Sequence, residues 1–213
     1  MIPEEDAKKL REKFSEMKKE VKVQFFNTPN CEICNDVHKL IVELSELADG
    51  KVILEDKPVE ELPPEYKESQ NGPIIILGDN GEVVYYGSPV GHEAWAFVET
   101  IVLLGSEDSG LKPEHREMLK EVSKKLYLET VITPTCPYCP YAVLYANQVA
   151  IETKGLVRAE MVNAWEFQEL AAQYNVNAVP VTVFGREPHA GKVEFVGVPK
   201  MEDLIEKVLE YTK

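Results

Sequence analysis

The sequence predicts an α/β protein made by tandem duplication, with two units that are each a mixed sheet flanked by helices on both faces. Three observations lead there. Four cysteines fall into two Cys-x-x-Cys pairs, Cys31–Cys34 and Cys136–Cys139, in register at an offset of 105 residues. The residues around each pair repeat as well. Strand-like runs and amphipathic helical faces alternate along both halves.

The repeat is read element by element. Pro3 opens a helix with Ala7, Leu10, Phe14 and Met17 on one face. The β-prone run Val21–Phe26 follows, then Thr28-Pro29, one polar residue and Cys31. In the second half Pro113 opens the helix, and Tyr127–Ile132 leads through Thr133-Pro134 and one polar residue to Cys136. Cys34–Ala48 is predicted helical, with Val37, Leu40, Ile41, Leu44 and Leu47 inward, and Lys51–Glu55 is a strand. A third helix is expected before the apolar strand Pro73–Leu77, whose counterpart follows Pro180. The prolines lie 42 and 44 residues after the first cysteines. Each half then has a turn (Gly78–Gly81, Gly185–Gly191), a strand (Glu82–Tyr86, Lys192–Val196), a glycine (Gly87, Gly197) and a closing helix, the last carrying Met201, Leu204, Ile205, Val208 and Leu209 inward. Gly105–Gly110 reads as a linker, giving units at 1–110 and 111–213.

Composition bounds the function. With 213 residues, 44% of them hydrophobic, the chain is long enough for two ordinary cores and too apolar for disorder. No apolar run approaches the roughly 18 residues that cross a bilayer, and the acidic start Met1–Asp6 is unlike a targeting segment. The net charge of −14, of which −12 falls in residues 1–110, argues against nucleic acid and anionic membrane as partners. Abundant Glu and Lys with only four cysteines suits a cytoplasmic, thermophilic protein.

The cysteines carry the chemistry. Each pair sits where a strand ends and a helix begins, so unpaired N–H groups and the positive end of the helix dipole stabilise a thiolate at the first cysteine. Two intervening residues bring the sulfurs within bonding reach. Cys31 and Cys136 are the candidate nucleophiles, and Cys34 and Cys139 the resolving thiols, of disulfide exchange through a mixed disulfide.

Strand, Cys-x-x-Cys at a helix start and a proline opening a later strand resemble the thioredoxin fold. Cys136-Pro137-Tyr138-Cys139 is similar to the glutaredoxin active-site tetrapeptide. Two such units in one chain resemble the archaeal and thermophilic protein disulfide oxidoreductases, relatives of protein disulfide isomerase. The resemblance implies that both pairs are redox centres needing no metal or organic cofactor. It implies that Pro73 and Pro180 are cis, with Gly72 and Val179 presenting backbone groups to an extended substrate. It implies protein thiols or disulfides as substrates and a thioredoxin-reductase-like flavoprotein as electron donor. The first half departs from the pattern: Cys31-Glu32-Ile33-Cys34 has no Pro or Gly between its cysteines, and Gly72 precedes Pro73.

Other readings stay open. Two Cys-x-x-Cys pairs can share one zinc, although zinc ribbons place them about 15–20 residues apart and here 101 residues intervene. A dedicated electron-transfer subunit for a peroxidase and a glutaredoxin-like iron–sulfur carrier are the functional alternatives. Glu129, seven residues before Cys136, is a candidate proton acceptor; the thioredoxin carboxylate falls one residue nearer, where this chain has Thr130. His38 is expected as a half-exposed helix histidine, and Trp95 and Trp165 as core residues. Glu32 places a carboxylate beside the first pair, which disfavours a thiolate at Cys31 relative to Cys136.

Overall fold

The computed structural model describes residues 2–29, 31–64 and 71–213. The first unit begins with helix α1 (Glu4–Ser15), whose Glu4, Glu5 and Asp6 complement the helix dipole and which buries Ala7 and Phe14. Strand β1 (Val21–Phe26) crosses through helix α2 (Cys34–Leu47) to the parallel strand β2 (Val52–Lys57). Strand β3 (Ile74–Leu77), buried at all four residues, forms a hairpin with β4 (Val83–Tyr86). The hairpin turn places Gly78 and Gly81 at φ 90° and 63°, a region that favours glycine. Helix α3 (Ala94–Ser106) closes the unit.

The second unit repeats the plan. Helix α4 (Pro113–Leu119) precedes β5 (Leu126–Ile132), α5 (Cys139–Glu152) and β6 (Val157–Asn163). Helix α6 (Gln168–Ala172), the hairpin strands β7 (Val181–Gly185) and β8 (Lys192–Val196), and α7 (Met201–Thr212) follow.

All eight strands form one sheet, in the order β2-β1-β3-β4-β6-β5-β7-β8. The order within each unit is the same. The units join edge to edge through the parallel pair β4–β6, with Val84 opposite Glu160 and Tyr86 opposite Val162. That pairing is head to tail: the last strand of one unit meets the counterpart of β2 in the other. The units are therefore related by translation along the sheet, and a two-fold relation is excluded. Both point the same way. One sheet face packs a large core against α1, α2, α3, α4, α5 and α7, reaching from Phe14 and Val37 to Val143 and Leu204. The other face packs Phe26, Ile74, Val84, Tyr86, Val131 and Val162 against Leu62, Phe167 and α6. Helices thus cover both faces, unequally among the described residues.

Three expectations change. Between β2 and β3 the described residues hold only a 3₁₀ turn at Val59–Glu61, where Pro58, Pro63 and Pro64 interrupt any longer helix; the rest of the expected helix falls on residues 65–70, outside the described residues. The linker is shorter than Gly105–Gly110, because α3 runs on to Ser106. A Cβ on Gly105 would lie 2.5 Å from Met17 Cε, so this glycine serves close packing of the α1–β1 connection on α3. Trp95 and Trp165 are not core residues; they are 42% and 56% exposed.

Candidate active site

Each cysteine pair lies between a strand end and a helix start. Cys34 and Cys139 are the first residues of α2 and α5, and Cys31 and Cys136 sit just ahead of them. Both pairs are joined as disulfides with Cα–Cα distances of 5.5 Å. Both pack against the same core on the same sheet face. The parallel order puts both at the C-terminal edge of the sheet, beyond β1 and β5. Those strands are four steps apart in the sheet, and at about 4.8 Å per step the sites stand roughly 19 Å apart. Four sulfurs so divided cannot share one zinc ion.

The two sites differ in detail. At the second, the Cys139 N–H donates to Cys136 Sγ at 3.1 Å, and the Val179 carbonyl oxygen is 3.9 Å from the same sulfur. Val179–Pro180 is the one cis peptide bond among the described residues, so Gly72–Pro73 is trans, contrary to expectation. The Gly72 carbonyl accepts a hydrogen bond from Thr28 Oγ1 at 2.8 Å. A Cβ on Gly72 would lie 2.7 Å from Phe167 Cε2 and 2.8 Å from Glu166 Oε2, so the first unit's proline loop is pressed against the second unit. Glu166 holds that junction: its carboxylate accepts from the Ser88 N–H at 2.8 Å, from Asn163 Nδ2 at 2.7 Å and from Ser88 Oγ.

Exposed aromatics surround the second pair. Tyr138, between the cysteines, is 67% exposed. Trp95 meets Tyr141 edge to face at 5.2 Å, a contact between the units.

Glu129 does not serve the cysteines. Strand alternation turns it to the opposite sheet face, where it is fully buried. There it accepts from Tyr174 Oη at 2.7 Å and from the His189 backbone N–H at 3.1 Å, and it meets His189 Nδ1 at 3.0 Å. His189 Nε2 in turn meets Tyr86 Oη of the first unit at 3.0 Å, so the cluster ties the two units together. Burial and the neighbouring carboxylate push the Tyr174 phenol well above its ordinary range. On the cysteine face the same strand presents Thr130, buried opposite Thr182, and neither hydroxyl has a hydrogen-bond partner. His38 pairs with Asp56, 2.9 Å from Nε2 to Oδ1, and packs on the edge of Phe25.

Sequence reading missed Glu93. It ends a 3₁₀ turn, Gly91–Glu93, whose His92 N–H donates to the Pro134 carbonyl at 3.2 Å, two residues before Cys136. The turn also packs against α5. Glu93 is fully buried, neither carboxylate oxygen has a hydrogen-bond partner, and burial pushes its carboxyl up to about 8. In the sequence it looks like an ordinary acidic residue ahead of a helix, which gives no warning of its burial.

Comparison with known proteins agrees with this architecture. The thioredoxin-domain family model matches residues 129–210. Thioredoxin of Methanocaldococcus jannaschii is 36% identical over 84 residues, 39% of this chain and 93% of that protein. A protein disulfide oxidoreductase from Aeropyrum pernix superposes with a TM-score of 0.85 at 32% identity, over 99% of this chain and 93% of that one. The N-terminal domain of alkylhydroperoxide reductase AhpF from Enterococcus faecalis superposes with a TM-score of 0.82 at 25% identity, over 98% and 100%.

Proposed function

The chain belongs to the thioredoxin family and is a thiol–disulfide oxidoreductase, and from that premise we propose that both of its Cys-x-x-Cys pairs turn over disulfides in protein substrates. The observation that carries this reading is the presence of two disulfides, each at a helix start and both at one edge of one sheet.

The roles follow from position. In the reducing direction the Cys136 thiolate attacks a substrate disulfide, forming a mixed disulfide and releasing one substrate thiolate, which takes up a proton. Cys139 then loses its proton and attacks Cys136 Sγ, closing the Cys136–Cys139 disulfide and releasing the second substrate thiol. Two electrons pass to the substrate in all, and the reverse sequence oxidises a dithiol. Cys31 and Cys34 do the same in the first unit. Val179, ahead of Pro180, offers its carbonyl beside Cys136 to an extended substrate. Gly72 and Pro73 give the first site less, because Thr28 already occupies the Gly72 carbonyl. The sulfur pairs carry the electrons, so no organic cofactor enters the cycle. A thioredoxin-reductase-like flavoprotein as donor, the division at residues 110 and 111, and a cytoplasmic location belong to the same reading. Among the described residues no helix is long and apolar enough to cross a membrane.

The similarity to the AhpF domain favours a second reading, delivery of electrons to a dedicated peroxidase. Insulin reduction by dithiothreitol separates the two. A general oxidoreductase accelerates it, and a variant with all four cysteines changed to serine does not. No acceleration by the intact protein would sink the first reading.

A further inference from the structure

A groove connects the two redox sites, and its lining names what it holds. One stretch, about 630 Å³, runs from Glu32 and Ile33 between the first cysteines to Pro134, two residues before Cys136. A second of the same volume runs on to Val179, beside Cys136. Trp165, 56% exposed, lines both, so the two stretches adjoin there. The first stretch is lined by the apolar Ile33, Val90, Pro134 and Trp165 and by polar residues, among them Asn71 and Ser88. Of the carboxylates in the first stretch, Glu166 is taken up by Ser88 and Asn163, whereas Glu32 and Glu169 are exposed; among the described residues no Lys, Arg or His lines either stretch.

We propose that this groove binds one extended, cationic, cysteine-bearing polypeptide segment that reaches both sites at once. The inference rests on the oxidoreductase reading and names its substrate class. The roughly 19 Å between the sites is spanned by about six extended residues at 3.3 Å each. Glu32 and Glu169 supply charge complementary to Lys or Arg on that segment, and Glu32 stands in the unit that carries −12 of the net charge of −14. The Trp165 ring offers an apolar ledge and a face for a cation. Such a segment bound along the groove presents cysteines to two disulfides without dissociating.

The test uses the oxidised full-length protein and a fluorescein-labelled peptide of about 12 residues, rich in Lys and Gly with Ser in place of Cys, against an equally long Glu-rich peptide. Because the peptide carries no sulfur, its binding is read apart from disulfide turnover, and failure of the one is distinguishable from failure of the other. At about 50 mM salt the cationic peptide is expected to bind at least about tenfold tighter by anisotropy. Glu169→Lys and Trp165→Ala should each weaken it about fivefold or more. A Glu5→Lys/Glu12→Lys variant on exposed α1 changes the net charge by more than Glu169→Lys does and should leave binding within about twofold. In a Trp95→Phe background the remaining Trp165 emission should change as peptide is added. Equal binding of both peptides, indifference to Glu169→Lys and Trp165→Ala, or an equal loss from the α1 variant would overturn the proposal.

Discussion

The backbone N–H of Cys139 donates to Cys136 Sγ at 3.1 Å, and among the described residues the first pair has no such bond between Cys34 and Cys31. A donor held at that sulfur stabilises a thiolate on it. Glu32, exposed between the first cysteines, acts the other way on Cys31. The reduced form of the second pair is therefore the better stabilised.

The reduction potential of Cys31–Cys34 should accordingly lie below that of Cys136–Cys139. A difference of about 1–2 kcal/mol in thiolate stability corresponds to about 20–40 mV. Redox titration of variants that keep one pair each measures it, and Glu32→Gln should narrow the gap. An equal or reversed order would assign the ranking to burial instead.

Electrons should not pass directly between the pairs within one molecule. A disulfide requires Cα atoms within about 7 Å, and the strands carrying the sites stand roughly 19 Å apart in a continuous sheet. A Cys34→Ser/Cys139→Ser variant should thus form no intramolecular Cys31–Cys136 disulfide under mild oxidation, as peptide mapping would report. Efficient formation would mean that the β4–β6 junction opens.

Glu93 makes stability depend on pH. Its folded value of about 8 lies above the ordinary 4.5, so the native state binds a proton that the unfolded chain releases. The contribution is fully present below about pH 4.5 and is lost as pH rises through about 8, at a cost on the order of 5 kcal/mol. Glu93→Gln should flatten this profile and make the protein more stable than wild type at pH 9, by urea unfolding at several pH values. An unchanged slope would mean that the carboxyl is ionised and paired in solution.

Gly72→Ala should destabilise the junction between the units. Its new methyl would fall 2.7 Å from Phe167 Cε2, and overpacking of this kind costs about 1–3 kcal/mol. Thermal unfolding reads the loss, which should shrink when Phe167→Leu is added. No change in Tm would show that the loop yields freely.

The cysteine pairs and the strands that feed them were legible because each rests on local sequence: a β-prone run, Thr-Pro and a helix-starting cysteine; the cis bond at Pro180 was legible through the family resemblance alone. Glu129 was misassigned to the active site because motif spacing was weighed without the two-residue alternation of β5, which turns Thr130, not Glu129, toward the cysteines. The long-range features were not legible at all. Nothing in Val83–Tyr86 announces that it pairs with β6, and that pairing decides the rest. It buries Tyr86 against His189, presses Gly72 on Phe167 and brings Trp165 into a groove instead of a core. The trans bond at Pro73 belongs to the same junction, since its loop packs against Glu166 and Phe167 of the other unit.

The central claim is that both pairs are redox centres and that the second is the stronger general catalyst. Insulin reduction by dithiothreitol, compared between Cys31→Ser/Cys34→Ser and Cys136→Ser/Cys139→Ser, tests it most directly. The account predicts that the first variant keeps most of the wild-type rate and that the second loses about tenfold or more, the loss of roughly 1.4 kcal/mol of transition-state stabilisation or greater. A dead first variant, or a second variant with full activity, would contradict it.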